Sequence, residues 1–136
     1  MNAAAEGEVS IETEGDIVVV RRAVRDAATQ AGFSGTDVTR IVTAASELAR
    51  NTFQYAGKGI MHWRLVENSG CQGLELRFVD QGSGIPSVNL AFQQGYSTGE
   101  GLGMGLPGIK RLMDEMEIQS HPGQGTTITV KKWRKT

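Results

Sequence analysis

The chain reads as an α/β protein, a two-layer sandwich in which helices cover one face of a sheet. Three observations predict this. Two early segments carry apolar residues at helical spacing, whereas the later ones alternate apolar and polar with a period of two. Each alternating segment has a polar face; a doubly wound sheet, covered on both sides, would show continuous apolar runs instead. The length of 136 residues, with 39% hydrophobic and 21% charged side chains, suits one folded core. No linker, repeat or low-complexity tract interrupts residues 1–136, so a single domain is expected.

A short strand is expected around "EVSIET". The run "GDIVVVRRAVRDAATQAGF" follows as a helix with the stripe Ile17, Val20, Val24, Ala27, Ala28 and Ala31, stopped at Gly32. Its outer Arg21, Arg22 and Arg25 read as a solvated face in preference to a docking surface. Ser34 and Asp37 have capping-box spacing and start a second helix near Thr36. That helix carries the stripe Val38, Ile41, Val42, Ala45, Leu48, Ala49, Thr52 and Ala56. Two strands, "IMHWRLVEN" and "GLELRFVD", are joined by a turn at "SGCQG". A glycine-rich stretch from Gln81 to Gly105 leads into a helix "LPGIKRLMDEM", with Pro107 in its first turn. The chain closes with "EIQSH", a turn at "PGQG" and a strand "TTITVKKW", in which Thr126, Ile128 and Val130 share a face.

Composition excludes several classes of function. Fourteen basic against fifteen acidic side chains, a net charge of -1, give no electrostatic case for nucleic acid. A lone Cys71 forms no internal disulfide or cysteine zinc site and favours a reducing compartment. His62 and His121 lack companions at metal-ligand spacing and read as surface strand residues. "MNAAAEGEVS" has neither a basic nor an apolar leader region, and no apolar run is long enough for a membrane span. A cytoplasmic protein is expected, with no membrane partner.

Glycine is concentrated: of 18, eight fall between Gly82 and Gly108, as when a backbone must close on a ligand or move over it. On the second helix Glu47 and Asn51 lie about 40° apart, off the centre of the stripe. Taken alone they are a pair of exposed polar residues. In "LELRFVD" the period of two puts Asp80 on the face of Leu74, Leu76 and Phe78, turned toward the helices. A carboxylate there leans to water, caps a turn, or accepts from a ligand. Gly82 and Gly84 just beyond it leave a flat opening that a planar heterocycle with an exocyclic amine would fill. Gly101, Gly103 and Gly105 precede a helix N-terminus, where backbone N–H groups can meet phosphate oxygens; a flexible loop is the alternative. Gly103, Gly105 and Gly108 match G-x-G-x-x-G, but no strand precedes them and no acidic residue follows at ribose distance. "GKG" at 57–59 lacks the rest of a Walker A loop.

The order of these boxes resembles the GHKL superfamily of ATPases and kinases: Glu47 and Asn51 on a helix, "DQGSG", "GLGMGL" opening a helix, then "GQGTT" entering the last strand. "SELARN", "YAGKG", "DQGSGI", "GYSTGEGLGMGLPGIKRLMDE" and "GTTITVKKW" are similar to the RsbT-like serine/threonine kinases of bacterial stressosome and partner-switching pathways, over about Glu8 to Trp133. The resemblance implies the Bergerat fold, a mixed, mostly antiparallel sheet with helices on one face. It implies Mg²⁺ and ATP as cofactors, with Asn51 holding the metal against the phosphates and Glu47 as the base. Asp80 would receive the adenine amine, Gly82 and Gly84 would shape the adenine side, and Thr126 would meet its far edge. Gly101, Gly103 and Gly105 would form a phosphate lid, short as in the small serine kinases.

The substrates so implied are STAS-domain proteins (RsbS- or RsbR-like), and the partner activated on release is a PP2C-type phosphatase (RsbU-like). A carboxylate base suits a weakly nucleophilic serine hydroxyl, and an amide oxygen suits Mg²⁺. Three alternatives stand beside this reading. An anti-sigma factor kinase of the same superfamily would sequester a sigma factor; the wording of the lid segment favours the RsbT-like side. A histidine-kinase fragment would follow a phosphoacceptor helix, and none precedes the domain. A non-catalytic scaffold would not need both Glu47 and Asn51.

Overall fold

A computed structural model describes residues 5–82, 105–121 and 123–134. Among the described residues eight elements follow one another: β1 (Glu6–Ile11), α1 (Asp16–Gln30), α2 (Gly35–Ala56), β2 (Gly59–Asn68), β3 (Cys71–Asp80), α3 (Gly105–Leu112), β4 (Glu115–His121) and β5 (Gly125–Trp133). The strands form one sheet in the order β1-β2-β3-β5-β4. Every pairing among the described residues is antiparallel, in agreement with the mostly antiparallel sheet expected.

The two long helices form for the reasons legible in the chain. Ile17, Val20, Val24, Ala27 and Ala28 are buried along α1, and the chain turns out of it at Gly32. Ser34 caps α2: its Oγ accepts from the Asp37 N–H at 3.2 Å, which satisfies one of the orphan donors of the first turn. The Asp37 side chain does not close a capping box and pairs with Arg40 at 3.1 Å. Gly57, at φ 79, ends the helix.

Helices and strands share one apolar core. Ile11, Met61, Leu74, Leu76, Phe78, Ile128 and Val130 present it from the sheet, and Val20, Val24, Ile41, Ala45, Leu48, Leu106 and Ile109 from the helices. Burying each large aliphatic or aromatic side chain contributes about 1.5–3 kcal/mol, so these alternating positions fix the register. The opposite face carries Glu6, Arg64, Glu75, Lys131 and Glu115 in one cross-strand row of alternating charge. Arg64 Nε donates to Glu75 Oε1 at 2.9 Å, and Lys131 Nζ lies 3.8 Å from Glu75 Oε2. His62 also stands on this face and pairs with Glu8 at 3.2 Å, as a surface strand residue would.

Two local expectations need correction. The β2–β3 turn is only Ser69–Gly70, both at positive φ (53° and 83°), so Cys71 and Gln72 already belong to β3. Two left-handed residues match the twist of the strands they join. The third helix ends at Leu112 and does not run to Met116. The Asp114 N–H donates to the Lys131 carbonyl at 2.9 Å, and Asp114 Oδ2 accepts from the Trp133 N–H at 2.7 Å. These bonds draw the chain into the sheet, and Glu115 and Met116 open β4. Lys132 faces the core side, 4% exposed, and its Nζ donates to the Leu112 carbonyl at 2.9 Å. It satisfies an orphan carbonyl at the C-terminal end of α3.

Candidate nucleotide-binding site

The face of α2 that bears Glu47 and Asn51 is not solvated. Asn51 is 1% exposed, and neither its Oδ1 nor its Nδ2 has a hydrogen-bond partner among the described residues. The Glu47 side chain is 13% exposed; its Oε1 accepts from Arg50 Nη1, while its buried Oε2 has no described partner. The buried arc of α2 is wider than its apolar stripe, since it takes in Ala44 and Asn51 as well. An unsatisfied buried polar group costs about 1–3 kcal/mol, and three such atoms on one helix face make it a candidate place for a ligand to pair.

Asp80 stands at the end of β3 on the face expected. Its Oδ1 accepts from the Gly82 N–H at 2.9 Å and the Thr126 N–H at 3.3 Å, and Oδ2 accepts nothing among the described residues. Burial raises its carboxyl above the ordinary value of 3.8, and the two backbone donors pull the other way. The backbone beside it is crowded. A Cβ on Gly125, which sits at φ 95, would lie 2.1 Å from the Asp80 carbonyl oxygen; one on Gly82 would lie 2.8 Å from the Ala56 Cβ. A Cβ on Gly59 would meet Thr52 Cγ2 at 2.5 Å and Asp80 Cβ at 3.4 Å. The C-terminal half of α2 therefore lies directly against the end of β3, which puts Asn51 and Asp80 at the same end of the sheet.

Thr126 is buried and belongs to this group. Its Oγ1 lies 2.9 Å from Ser120 Oγ, its cross-strand neighbour on β4. Ser120 went unremarked in the sequence; the period-two count along β4 and the β4–β5 pairing would have found it. Gly105 opens α3 at φ 72 and is buried. Gly84, Gly101 and Gly103 lie outside the described residues. A cavity of about 310 Å³ is lined by Ser10, Lys58, Ile60, Val79 and Asp80 itself. Glu47 and Asn51 do not line it, so it is not the site that their unpaired atoms define.

Asn51 suits a magnesium ion: its amide oxygen is a hard, buried donor with no described partner. No group of three or more His, Cys, Asp or Glu able to hold a metal occurs among the described residues. A cation there would draw its other ligands from phosphate and water, as Mg²⁺ commonly does.

The architecture and the site define a class: a two-layer α/β domain with a half-buried carboxylate at a strand end and an acid–amide pair on a neighbouring helix. The family model for the histidine kinase-like ATPase domain matches residues 10–132. The chain belongs to that family, as an RsbT-like member of it. It is 49% identical over 125 residues to serine/threonine-protein kinase RsbT of Bacillus subtilis, which covers 92% of this chain and 94% of that one. It is 31% identical over 105 residues to the anti-sigma F factor of Caldanaerobacter subterraneus subsp. tengcongensis, covering 71% of each. A crystal structure of the RsbU and RsbW domains of a Mycobacterium tuberculosis protein matches 96% of the chain with a TM-score of 0.64 at 19% identity, a likeness of fold. The match spans 34% of the chain in that structure. No described helix is long and apolar enough to cross a membrane.

Proposed function

We propose that this chain is a single-domain, cytoplasmic, ATP- and Mg²⁺-dependent serine/threonine protein kinase of a partner-switching pathway. Its substrates are serines or threonines on STAS-domain proteins, and on release it binds and activates a PP2C-type phosphatase. The observation that carries this reading is the set of unpartnered atoms on α2, Glu47 Oε2 and both amide atoms of Asn51, at the end of the sheet where Asp80 stands. The 49% identity to serine/threonine-protein kinase RsbT supports the RsbT-like kinase reading over the anti-sigma alternative, at 31%.

Each residue has a task. Asp80 offers Oδ2 to the adenine amine while the Gly82 and Thr126 amides hold Oδ1. Thr126, tied to Ser120, borders the base on the other side. Gly82 and Gly84 leave room for the ring, and Gly101, Gly103 and Gly105 close backbone N–H groups on the phosphates. Asn51 holds the metal, which when bound neutralises phosphate charge. Glu47 takes the proton of the attacking hydroxyl. The bond from hydroxyl oxygen to γ-phosphorus forms, the bond to the β-bridging oxygen breaks, and ADP leaves with that electron pair.

The experiment is to incubate the chain with labelled ATP, Mg²⁺ and purified STAS-domain proteins, beside a Glu47→Gln variant. Transfer by the parent, reduced about 10²–10⁴-fold in the variant with ATP binding intact, is the expected result. No transfer by the parent, or parental transfer by the variant, overturns the reading. Stable capture of a sigma factor would favour the anti-sigma alternative.

A further inference from the structure

Arg50 Nη1 donates to Glu47 Oε1, three positions back on α2. The two ends of this ion pair differ in setting: the Glu47 side chain is 13% exposed, and that of Arg50 41%. A pair with both ends in water contributes little and leaves its side chains free to part. Here one oxygen of the carboxylate is tied at the rim, and the other is buried, unpartnered among the described residues, on the same face as the unpartnered amide of Asn51. No other described cation pairs with Glu47.

We propose that Arg50 is a positioning residue for phosphoryl transfer: it anchors Oε1 of Glu47 so that Oε2 alone is presented to the acceptor hydroxyl. This rests on Glu47 being the base. A free glutamate has three side-chain torsions, and each rotamer that turns Oε2 away from the hydroxyl removes the near-attack arrangement on which proton transfer depends. The guanidinium excludes those rotamers and touches neither nucleotide nor acceptor. Arg40 supplies an internal comparison. It pairs with Asp37 at the same spacing on the same helix, at 3.1 Å, but no Asp37 oxygen is left buried and unpartnered. That pair serves only the start of the helix.

The test uses the full chain, Mg²⁺-ATP and a STAS-domain protein that the parent phosphorylates. Arg50→Met is expected to lower kcat about 10–100-fold, with KM for ATP and the calorimetric Kd unchanged. Arg50→Lys, which returns a donor and a charge, recovers part of the loss, and Arg40→Met transfers at the parental rate. Parental kcat in Arg50→Met, alongside a crippled Glu47→Gln, overturns the proposal and leaves the base assignment standing. Loss of ATP affinity in step with kcat, or no recovery with lysine, also overturns it, since either would make Arg50 a structural residue. Parental transfer by Glu47→Gln is a separate failure: it removes the base itself, and this proposal with it.

Discussion

Replacing Asp80 by asparagine isolates one oxygen of the site. In the parent, Oδ1 accepts from the amides of Gly82 at 2.9 Å and Thr126 at 3.3 Å, which leaves Oδ2 for a ligand donor. Asparagine can keep both backbone bonds through its own Oδ1. Its Nδ2 then occupies the place of Oδ2, so a donor faces the donating amine of adenine. A hydrogen bond to a charged group contributes about 1.5–3 kcal/mol, hence an expected rise in Kd of about 10–150-fold. The loss should be the same for ATP and for adenosine, because the contact is to the base. The fold should not suffer. Burial raises the Asp80 carboxyl above its ordinary value, so the ionised side chain is itself a burden on the unliganded protein. The melting temperature without nucleotide is expected to hold or rise. Calorimetry with both ligands and a thermal melt decide the matter. Equal affinities in variant and parent refute the adenine assignment; a clear fall in melting temperature refutes the claim that Oδ2 serves the ligand alone.

The same group fixes a pH dependence. With its folded value raised above 3.8, Asp80 favours folding most below that value, and this contribution is lost as pH rises through the folded value. Nucleotide binding has the opposite sign, since the amine needs the carboxylate: affinity measured by titration should weaken as pH falls through the folded value, and Asp80→Asn should lack that dependence. Asn51→Ala is expected to weaken Mg²⁺-ATP binding while adenosine affinity stays, which calorimetry with and without Mg²⁺ would read; an equal loss for adenosine would make Asn51 structural. Gly125→Ala must place a Cβ at φ 95, 2.1 Å from the Asp80 carbonyl oxygen. Backbone strain of this kind costs about 1–3 kcal/mol, so both the melting temperature and nucleotide affinity should fall, and an unchanged melt would count against the close approach.

The sequence by itself determined the layers. Alternation in "LELRFVD" and "TTITVKKW" assigns Leu74, Leu76, Phe78, Ile128 and Val130 to one face, and they are buried there because burial of large apolar side chains outweighs any local preference. The Ser34 cap and the stop at Gly32 were legible for a similar reason: a cap satisfies backbone groups within a few residues of itself. Asp80 was placed on the helix-facing side by counting alone. Tertiary structure decided the environment of Glu47 and Asn51, which helical spacing put off the centre of the apolar stripe as exposed polar residues. Whether such a face meets water depends on what packs beside it, and here Gly59 at the start of β2 lies against Thr52 and Gly82 just past β3 lies against Ala56. Asn51, on the same stretch of the helix, is buried and has no side-chain partner among the described residues. The third helix shows the same division. "LPGIKRLMDEM" keeps helical spacing to its end, yet Asp114 gains sheet bonds to Lys131 and Trp133, residues 17 and 19 positions away, and these non-local bonds override the local periodicity.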